Sequence, residues 1–180
     1  MSKNGSSNSP RKAARTGGAR NSQTSSQPTG QTLDLERYVP AFVTFIANKL
    51  SRSATVFYQK RFGINVTEWR IMSLLAIEPG ITASRICHVI GFDKGPVSRT
   101  LTTMQNRGLI AIKTDANDGR SHSIALTSKG RGIHDEVIVA ALERERLLLA
   151  CLRKDEREVL IDLLRRVHAN LGAVTGEVEP

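Results

Sequence analysis

Large apolar side chains recur at three- and four-residue steps over residues 33–62, which is the spacing of one face of a helix. The members of this face are Tyr38, Phe42, Phe45, Ile46, Leu50 and Phe57. Pro40 falls in the first turns, where proline is tolerated, and Gly63 breaks the pattern. The sequence therefore predicts one long helix over residues 33–62.

Three shorter helical stretches follow, each with a candidate capping residue before it and a turn signal after it. The candidate caps are Thr67, Thr82 and Asp93, and the candidate ends are Pro79-Gly80, Gly91 and Gly108. In the third stretch, Val97, Leu101 and Met104 share one face, which is expected to point inward. Three short helices joined by tight turns are typical of a helix-turn-helix unit.

A β-hairpin is predicted after the third short helix. Two short alternating runs, 109–114 and 123–127, flank a turn rich in Asp, Asn and Gly. Two further helical stretches follow, one to about Leu152 and one from Asp155 to Leu171. Their apolar stripes are wide for so small a body, which favours dimerisation through the chain ends.

These elements define a fold that is mainly α with a small β-hairpin wing. It is a winged helix-turn-helix with a helical dimerisation region from both chain ends. The predicted parts are a disordered basic arm (1–32), a first dimerisation helix (33–62), the winged helix-turn-helix (63–130), C-terminal dimerisation helices (131–174) and a disordered tail (175–180). The arm has almost no large apolar group with which to offset the entropy of folding. It is either a solubilising leader or a segment that attracts phosphate or another partner.

The composition limits the functional classes that remain. The chain has 180 residues and a formal net charge of +9, and no apolar run approaches the roughly 20 residues that cross a bilayer. Its two cysteines, Cys87 and Cys151, lack the paired spacing of a metal or redox motif. It has no Gly-rich phosphate loop and no nucleophile elbow, and its four histidines are scattered. We therefore expect a cytoplasmic protein that is not an enzyme, needs no metal or other cofactor, binds no membrane and favours a polyanionic partner.

The stretch from Asp93 to Arg107 has the chemistry of a DNA-recognition helix. When its apolar face packs inward, the opposite face is free to enter a major groove. The polar side chains on that face are Lys94, Ser98, Arg99, Thr102 and Thr103. Arginine makes bidentate contacts to guanine, and Ser and Thr bond bases or phosphates. Residues 82–132 hold eight basic and three acidic residues, so the positive charge is concentrated in this part of the chain.

The sequence resembles the MarR family of bacterial regulators, named for multiple antibiotic resistance, over about residues 35–171. The most specific match is the wing, from Asp118 to Gly130, and the stretch from Asn106 to Ile110 matches the exit of the recognition helix. One departure is Gly95-Pro96, where the family often has two hydroxyl residues.

The resemblance implies an obligate homodimer that binds an inverted repeat in double-stranded DNA. It implies that Arg120 at the tip of the wing enters the minor groove and that Asp118 helps to orient it. Ser121, next to Arg120, completes the predicted DNA-binding residues of the wing.

Many members of the family release DNA when a small aromatic or phenolic molecule fills a cleft between the dimer region and the DNA-binding lobe. The resemblance thus implies a repressor of a palindromic operator that is released by a small aromatic acid or a derivative such as a CoA thioester. The candidate ligand-binding residues are Phe45, Lys49, Arg52, Trp69 and Arg70. Each has an alternative role, because such rings also fill cores and such cations also cover solvated helix surfaces.

Two other functions remain open at this stage. Some relatives sense peroxides through a cysteine near the start of the first helix, where this chain has none, so the candidate here is Cys87, which lies near Arg85 and His88. The alternative role of Cys87 is that of a small buried apolar side chain. A structural or RNA-binding winged helix would instead be monomeric and would bind nucleic acid without a preferred sequence.

Overall fold

The computed structural model describes residues 32–114 and 122–176. The elements in chain order are α1 (Val39–Phe62), α2 (Val66–Ile77), α3 (Ala83–Ile90), α4 (Lys94–Asn106), β1 (Ile110–Thr114), β2 (His122–Leu126), α5 (Ser128–Leu148), α6 (Lys154–Ala169) and α7 (Gly172–Thr175). This order confirms the predicted fold class, which is mainly α with one antiparallel hairpin. Of the described residues, 32–38 belong to a separate unit, and the main unit begins at Val39.

The first helix is shorter than predicted at its N-terminal end. α1 begins at Val39, whereas the helix was expected from residue 33, and a turn closed by the Arg37 N–H and the Asp34 carbonyl (3.1 Å) precedes it. Pro40 explains the difference. In the first turn its missing N–H costs no helical hydrogen bond, but in a longer helix its ring would clash with the carbonyl four residues before it.

Asn65 rather than Thr67 caps α2. The Asn65 Oδ1 atom accepts hydrogen bonds from the backbone N–H groups of Thr67 and Glu68, both at 2.9 Å. In return Glu68 Oε2 accepts from the Asn65 N–H at 2.8 Å. The two residues form a capping box, so the predicted cap at Thr67 is wrong and Thr67 lies inside the first turn.

The next two helices follow their predicted boundaries closely. Thr82 caps α3 through its Oγ1 atom, which accepts from the Arg85 N–H at 3.2 Å, and Gly91 ends the helix in the left-handed conformation with φ 67°. Asp93 occupies the N-cap position of α4, but its side chain makes no capping hydrogen bond. In α4 the predicted inner face is confirmed: Val97, Leu101 and Met104 are all buried.

The hairpin is fastened to the helices by an additional backbone pairing. β1 and β2 are antiparallel, with Ile112 opposite Ile124, and each strand lies within one residue of its predicted position. Ile81, between α2 and α3, pairs with the other edge of β2: its carbonyl accepts from the Ile124 N–H, and the Gly80 N–H donates to the Ile124 carbonyl, both at 2.9 Å. The sequence did not predict this pairing, because an alternating strand pattern needs several residues and only Ile81 takes part. The turn that connects β1 to β2 lies outside the described residues.

Close packing sets the start of α5. The helix begins at Ser128, so the predicted boundary between residues 130 and 131 falls inside its first turn. Thr127 caps it, with Oγ1 accepting from the Gly130 N–H at 3.0 Å. A Cβ atom at position 130 would overlap the carbonyl of Leu109, so only glycine allows this approach of α5 to the exit of α4. The short helix α7 was not predicted.

The buried core lies where α2, α3, α4 and the hairpin meet the end of α1 and the start of α5. Its largest fully buried apolar side chains include Ile64, Ile71, Met72, Leu75, Ile86, Met104, Leu109 and Ile124. α6 contributes no buried side chain. Within the described part of the chain, no helix is long and apolar enough to cross a membrane.

An ion pair between the buried Glu68 and the half-buried Arg107 joins three parts of this core. Glu68, which is 2% exposed, receives a 2.7 Å hydrogen bond from Arg107 Nη1 at the end of α4. Arg107 Nη2 donates to the carbonyl of Gly63, between α1 and α2, at 2.8 Å. The guanidinium therefore holds the exit of α4 against the junction of α1 and α2.

We expect the Glu68→Gln variant to have a free energy of unfolding about 2 kcal/mol lower than the parent protein, because it weakens hydrogen bonds to a buried charged group. The exposed pair of Glu78 and Arg85 (3.1 Å) supplies the matched control, and Glu78→Gln should cause no measurable change. Urea denaturation at a fixed protein concentration, followed by circular dichroism, measures both. Equal losses in the two variants would contradict a special role for the buried pair.

Candidate functional site

The polar face of α4 lies where the sequence predicted it. All five predicted contact residues of this helix are exposed, and the apolar residues between them are buried; the exposed residues are Lys94, Ser98, Arg99, Thr102 and Thr103. The helix thus presents two cations and three hydroxyl groups on one side of a firmly packed element. We call this surface the α4 face.

The hydrogen bonds of the α4 face leave its groups available to a ligand. Thr102 donates to the carbonyl of Ser98 and Thr103 to that of Arg99, each at 3.0 Å, so both hydroxyl oxygens still have lone pairs to accept with. Within residues 32–114 and 122–176, neither Lys94 nor Arg99 forms an ion pair. Such a surface matches nucleic acid, with guanidinium and ammonium groups for phosphate or guanine and hydroxyls for either.

The positive charge around this face is smaller than the sequence count indicated. Arg85 pairs with Glu78, and its hydrogen bonds hold the pKa of that carboxyl group below the ordinary value. Arg107 is engaged with Glu68 in the core. Two of the eight cations are thus taken up by carboxylates that lie outside the counted segment, which only the packing could reveal.

The wing is described only at its base. Asp118, Arg120 and Ser121, the predicted DNA-binding residues of the wing, lie outside the described residues. At the last described pair of the hairpin, the Thr114 hydroxyl lies 3.3 Å from His122 Nδ1. The base of the wing is tied to the exit of α4, since the Thr127 hydroxyl donates to the Gly108 carbonyl at 2.7 Å.

A helix-turn-helix with an exposed polar second helix and an attached hairpin defines a DNA-binding regulator of the winged helix class. A family model described as the MarR family matches residues 62–121. A crystal structure of a MarR/EmrR family transcriptional regulator from Acinetobacter sp. ADP1 is 30% identical with a TM-score of 0.74, and the match covers 78% of this chain and 99% of that one. The chain belongs to the MarR family of transcriptional regulators.

Two further relatives extend the comparison. The HTH-type transcriptional regulator YdgJ of Bacillus subtilis is 26% identical over 115 residues, which are 62% of this chain and 68% of that protein. The PcaV transcriptional regulator of Streptomyces coelicolor, solved with its natural ligand, is 23% identical with a TM-score of 0.64; the match covers 78% of this chain and 98% of that one. At this identity the PcaV structure shows a shared fold.

The structure does not bring the five predicted ligand residues together. Lys49 and Arg52 line a groove of about 930 Å³ between α1 and α5, whereas Trp69 lines a separate cavity of about 430 Å³ between α2 and α5. Phe45 is exposed on the first half of α1. Arg70 donates to the Ser51 hydroxyl at 2.8 Å and lies over the ring of Phe92 at 5.5 Å, and it lines neither space.

The space around Trp69, which we call the Trp69 cavity, is apolar with a few polar groups at its wall. Its lining is Trp69, Ser73, Ala76, Ile77, Arg131, His134, Ile138, Ala141, Leu142 and Glu145. The Trp69 ring stacks on the imidazole of His134 with centroids 5.5 Å apart. His134 is 7% exposed, and its Nδ1 atom is hydrogen-bonded to Asp135 at 2.8 Å. This network fixes one aromatic wall.

The space between α1 and α5, which we call the Arg144 groove, is strongly cationic. Its lining is Lys49, Arg52, Ser53, Val56, Phe57, Lys60, Arg61 and Arg144. Arg144 donates to the Ser53 hydroxyl at 3.0 Å and lies over the rings of Phe57 and Tyr58. Burial raises the pKa of the Tyr58 hydroxyl above its ordinary value, and the neighbouring Arg144 partly offsets this effect.

Sequence reasoning missed His134, Arg131 and Arg144. Arg144 stands in an alternating run of Glu and Arg that is typical of a solvated helix surface, yet it is half-buried. No local signal distinguishes it from Arg146, which pairs with Glu143 at 2.7 Å.

The two cysteines form no disulfide with each other: Cys87 is half-buried and Cys151 is exposed.

Proposed function

We propose that this protein is a homodimeric repressor that binds a palindromic operator through the α4 face and the wing and is released by a small aromatic acid or a derivative of it. The α4 face carries the proposal, because its cations and hydroxyls stand opposite three buried apolar side chains. An element held this firmly presents its side chains to a groove with little loss of entropy on binding.

The two DNA-contacting elements have different proposed roles. Arg99 faces outward from a helix without a carboxylate partner in the described part, as bidentate recognition of guanine in the major groove requires. Arg120 is proposed from the family resemblance to enter the minor groove, where a cation responds to the narrow A·T-rich shape rather than to single bases.

The Arg99→Ala and Arg120→Ala variants should therefore lose DNA binding in different ways. Arg99→Ala should relax selectivity at one position of each half-site by about 1–3 kcal/mol. Arg120→Ala should weaken operator binding and reduce the preference for A·T-rich flanks. Anisotropy titrations of operator variants at fixed salt measure both effects, because affinity for DNA depends steeply on salt.

Arg146, paired with Glu143 on α5, supplies the control for both substitutions, and Arg146→Ala should leave the titrations unchanged. All three variants should remain folded. If Arg120→Ala bound its operator as tightly as the parent protein, the winged-helix mechanism would be contradicted. Identical affinity of the parent protein for operator and random DNA would favour a non-specific nucleic-acid-binding protein.

The proposed dimer follows from apolar surface that one chain leaves uncovered. α6 has sixteen residues and no buried side chain. Its exposed large apolar residues are Val159, Ile161, Leu163, Leu164 and Val167. The first half of α1 adds Val39, Phe42, Val43, Phe45 and Ile46, and α5 adds Leu142, Leu147 and Leu148. Such extensive apolar helix faces are stable in water when a second copy covers them.

We expect the parent protein to sediment at twice the mass of one chain at micromolar concentration. The Leu164→Glu/Val167→Glu double variant should be shifted towards the monomer, because burying unpaired carboxylates in the interface is costly. Gln105→Glu, at an exposed position of α4, adds the same charge elsewhere and should remain a dimer. A monomeric parent protein, or a double variant that stays dimeric, would contradict this interface.

The Trp69 cavity is the proposed effector site. It is mostly apolar, and its volume of about 430 Å³ lies within the usual range for small-molecule pockets. Trp69 offers an aromatic face, and Arg131 forms no ion pair in the described part, so its guanidinium is available to a carboxylate. Of the five residues predicted to bind the effector, only Trp69 lines this cavity. Phe45, Lys49, Arg52 and Arg70 do not, and the proposed effector site does not include them.

The position of the cavity supports control of DNA binding. One wall belongs to α2 of the helix-turn-helix unit, and the other belongs to α5, which continues towards the proposed dimer region. A ligand that fits only one relative arrangement of these helices shifts the population by its difference in affinity for the two states. The PcaV relative, whose structure contains its natural ligand, supports a ligand-responsive regulator of this fold.

Because Trp69 is the only tryptophan, its fluorescence reports directly on this cavity. A panel of aromatic acids and their CoA thioesters should contain a compound that changes the fluorescence and releases operator DNA. Arg131→Gln should weaken its binding about tenfold, as expected for one charge-assisted hydrogen bond, and Lys113→Gln should not. A panel without such a compound, together with release by peroxide that Cys87→Ser abolishes, would overturn the proposal in favour of redox sensing.

A further inference from the structure

The Arg144 groove has a charge pattern that the effector proposal does not use. Five of its eight lining residues are cations and none is acidic: Lys49, Arg52, Lys60, Arg61 and Arg144. Within the described ranges, none of the five forms an ion pair with a carboxylate. Cations gathered around one space repel each other, so the arrangement favours an anion between them.

Two of these cations share one aromatic ring. The guanidinium of Arg144 lies 5.1 Å from the centroid of Phe57, and that of Arg61 lies 6.0 Å from the same centroid. Arg144 is also held by its 3.0 Å hydrogen bond to the Ser53 hydroxyl. Contacts with a ring and a hydroxyl orient a guanidinium but leave its charge unneutralised. Arg144 is therefore positioned before any anion arrives.

The cations of α1 extend this pattern along the groove. Lys49, Arg52 and Lys60 follow one side of the helix, whose spacing of 1.5 Å per residue separates the first from the last by about 16 Å. Val56 and Phe57 supply an apolar wall between them. A single carboxylate can reach only part of such a stripe, whereas a chain of phosphates attached to an organic group can contact several cations and the wall together.

The neighbouring sites have different chemistry. Arg146, two residues along α5 from Arg144, is paired with Glu143 and holds the pKa of that carboxyl group below its ordinary value. The Trp69 cavity, on α2 and α5, includes both Arg131 and Glu145 in its lining, so its charges are mixed. The Arg144 groove differs from both neighbours, because its lining contains five cations and no carboxylate.

We propose that the Arg144 groove is a second ligand site, which binds an organic di- or polyphosphate. Lys49, Arg52 and Arg144 contact the phosphates, and Val56 and Phe57 pack against the organic group. The site is separate from the Trp69 cavity, so a small aromatic acid and a phosphate ligand bind the protein at different places.

Calorimetric titration without DNA, at fixed ionic strength, tests this proposal with adenosine diphosphate, tripolyphosphate and orthophosphate as probes. Adenosine diphosphate and tripolyphosphate should bind, and orthophosphate should bind at least tenfold more weakly. Lys49→Gln and Arg52→Gln, both at exposed positions, should each weaken binding about fivefold, as expected for the loss of one charge-assisted contact. Arg146→Gln should bind within twofold of the parent protein.

Three outcomes would overturn the proposal: no binding of either polyphosphate, equal binding by all variants, or loss of the dimer in the Lys49→Gln/Arg52→Gln double variant. The third outcome, measured by sedimentation, would show that the groove receives acidic residues of a second copy. Arg131→Gln should bind adenosine diphosphate normally. Because this assay uses neither DNA nor an aromatic acid, its result is independent of the proposed effector site.

Discussion

The ion pair between Glu68 and Arg107 is the interaction on which the rest of the DNA-binding unit depends. Glu68 completes the capping box of α2 by accepting from the Asn65 N–H, and Arg107 ends α4 and reaches back to the carbonyl of Gly63. Lys129 donates to the Arg107 carbonyl at 2.9 Å, which brings the start of α5 to the same point. A buried carboxylate without its partner is strongly unfavourable, so these four segments are held in one arrangement. The orientation of the α4 face follows from that arrangement.

α5 connects this rigid unit to the parts of the chain that lack internal partners. Its first turns pack against the exit of α4 through Gly130, where no larger residue fits. Further along, one side borders the Trp69 cavity and another borders the Arg144 groove. Beyond it, α6 has no buried side chain. The proposed dimerisation and ligand binding therefore involve one helix, whose first turn contacts the exit of α4 through Lys129 and Gly130.

The elements could be predicted from the sequence because their signals are local. The buried face formed by Val97, Leu101 and Met104 has helical spacing, and Thr82 and Gly91 mark the limits of α3. Errors arose where two local signals competed. Asn65 and Thr67 are both good capping residues, and the reciprocal bond from Glu68 selects Asn65. Pro40 was read as tolerated within a longer helix, whereas it sets the helix start.

Local sequence patterns were enough to predict the order of α1 to α6 and the hairpin, the polar face of α4 and the family, because each depends on residues a few positions apart. Which distant side chains share a space depends on the packing of the folded chain. Ser53 and Arg144 meet across 91 positions, and Trp69 stacks on His134 rather than joining Lys49 and Arg52. Periodicity states which face of a helix is apolar but not which helix covers it. The contents of a cavity depend on that second choice, which is made by the packing of the whole core.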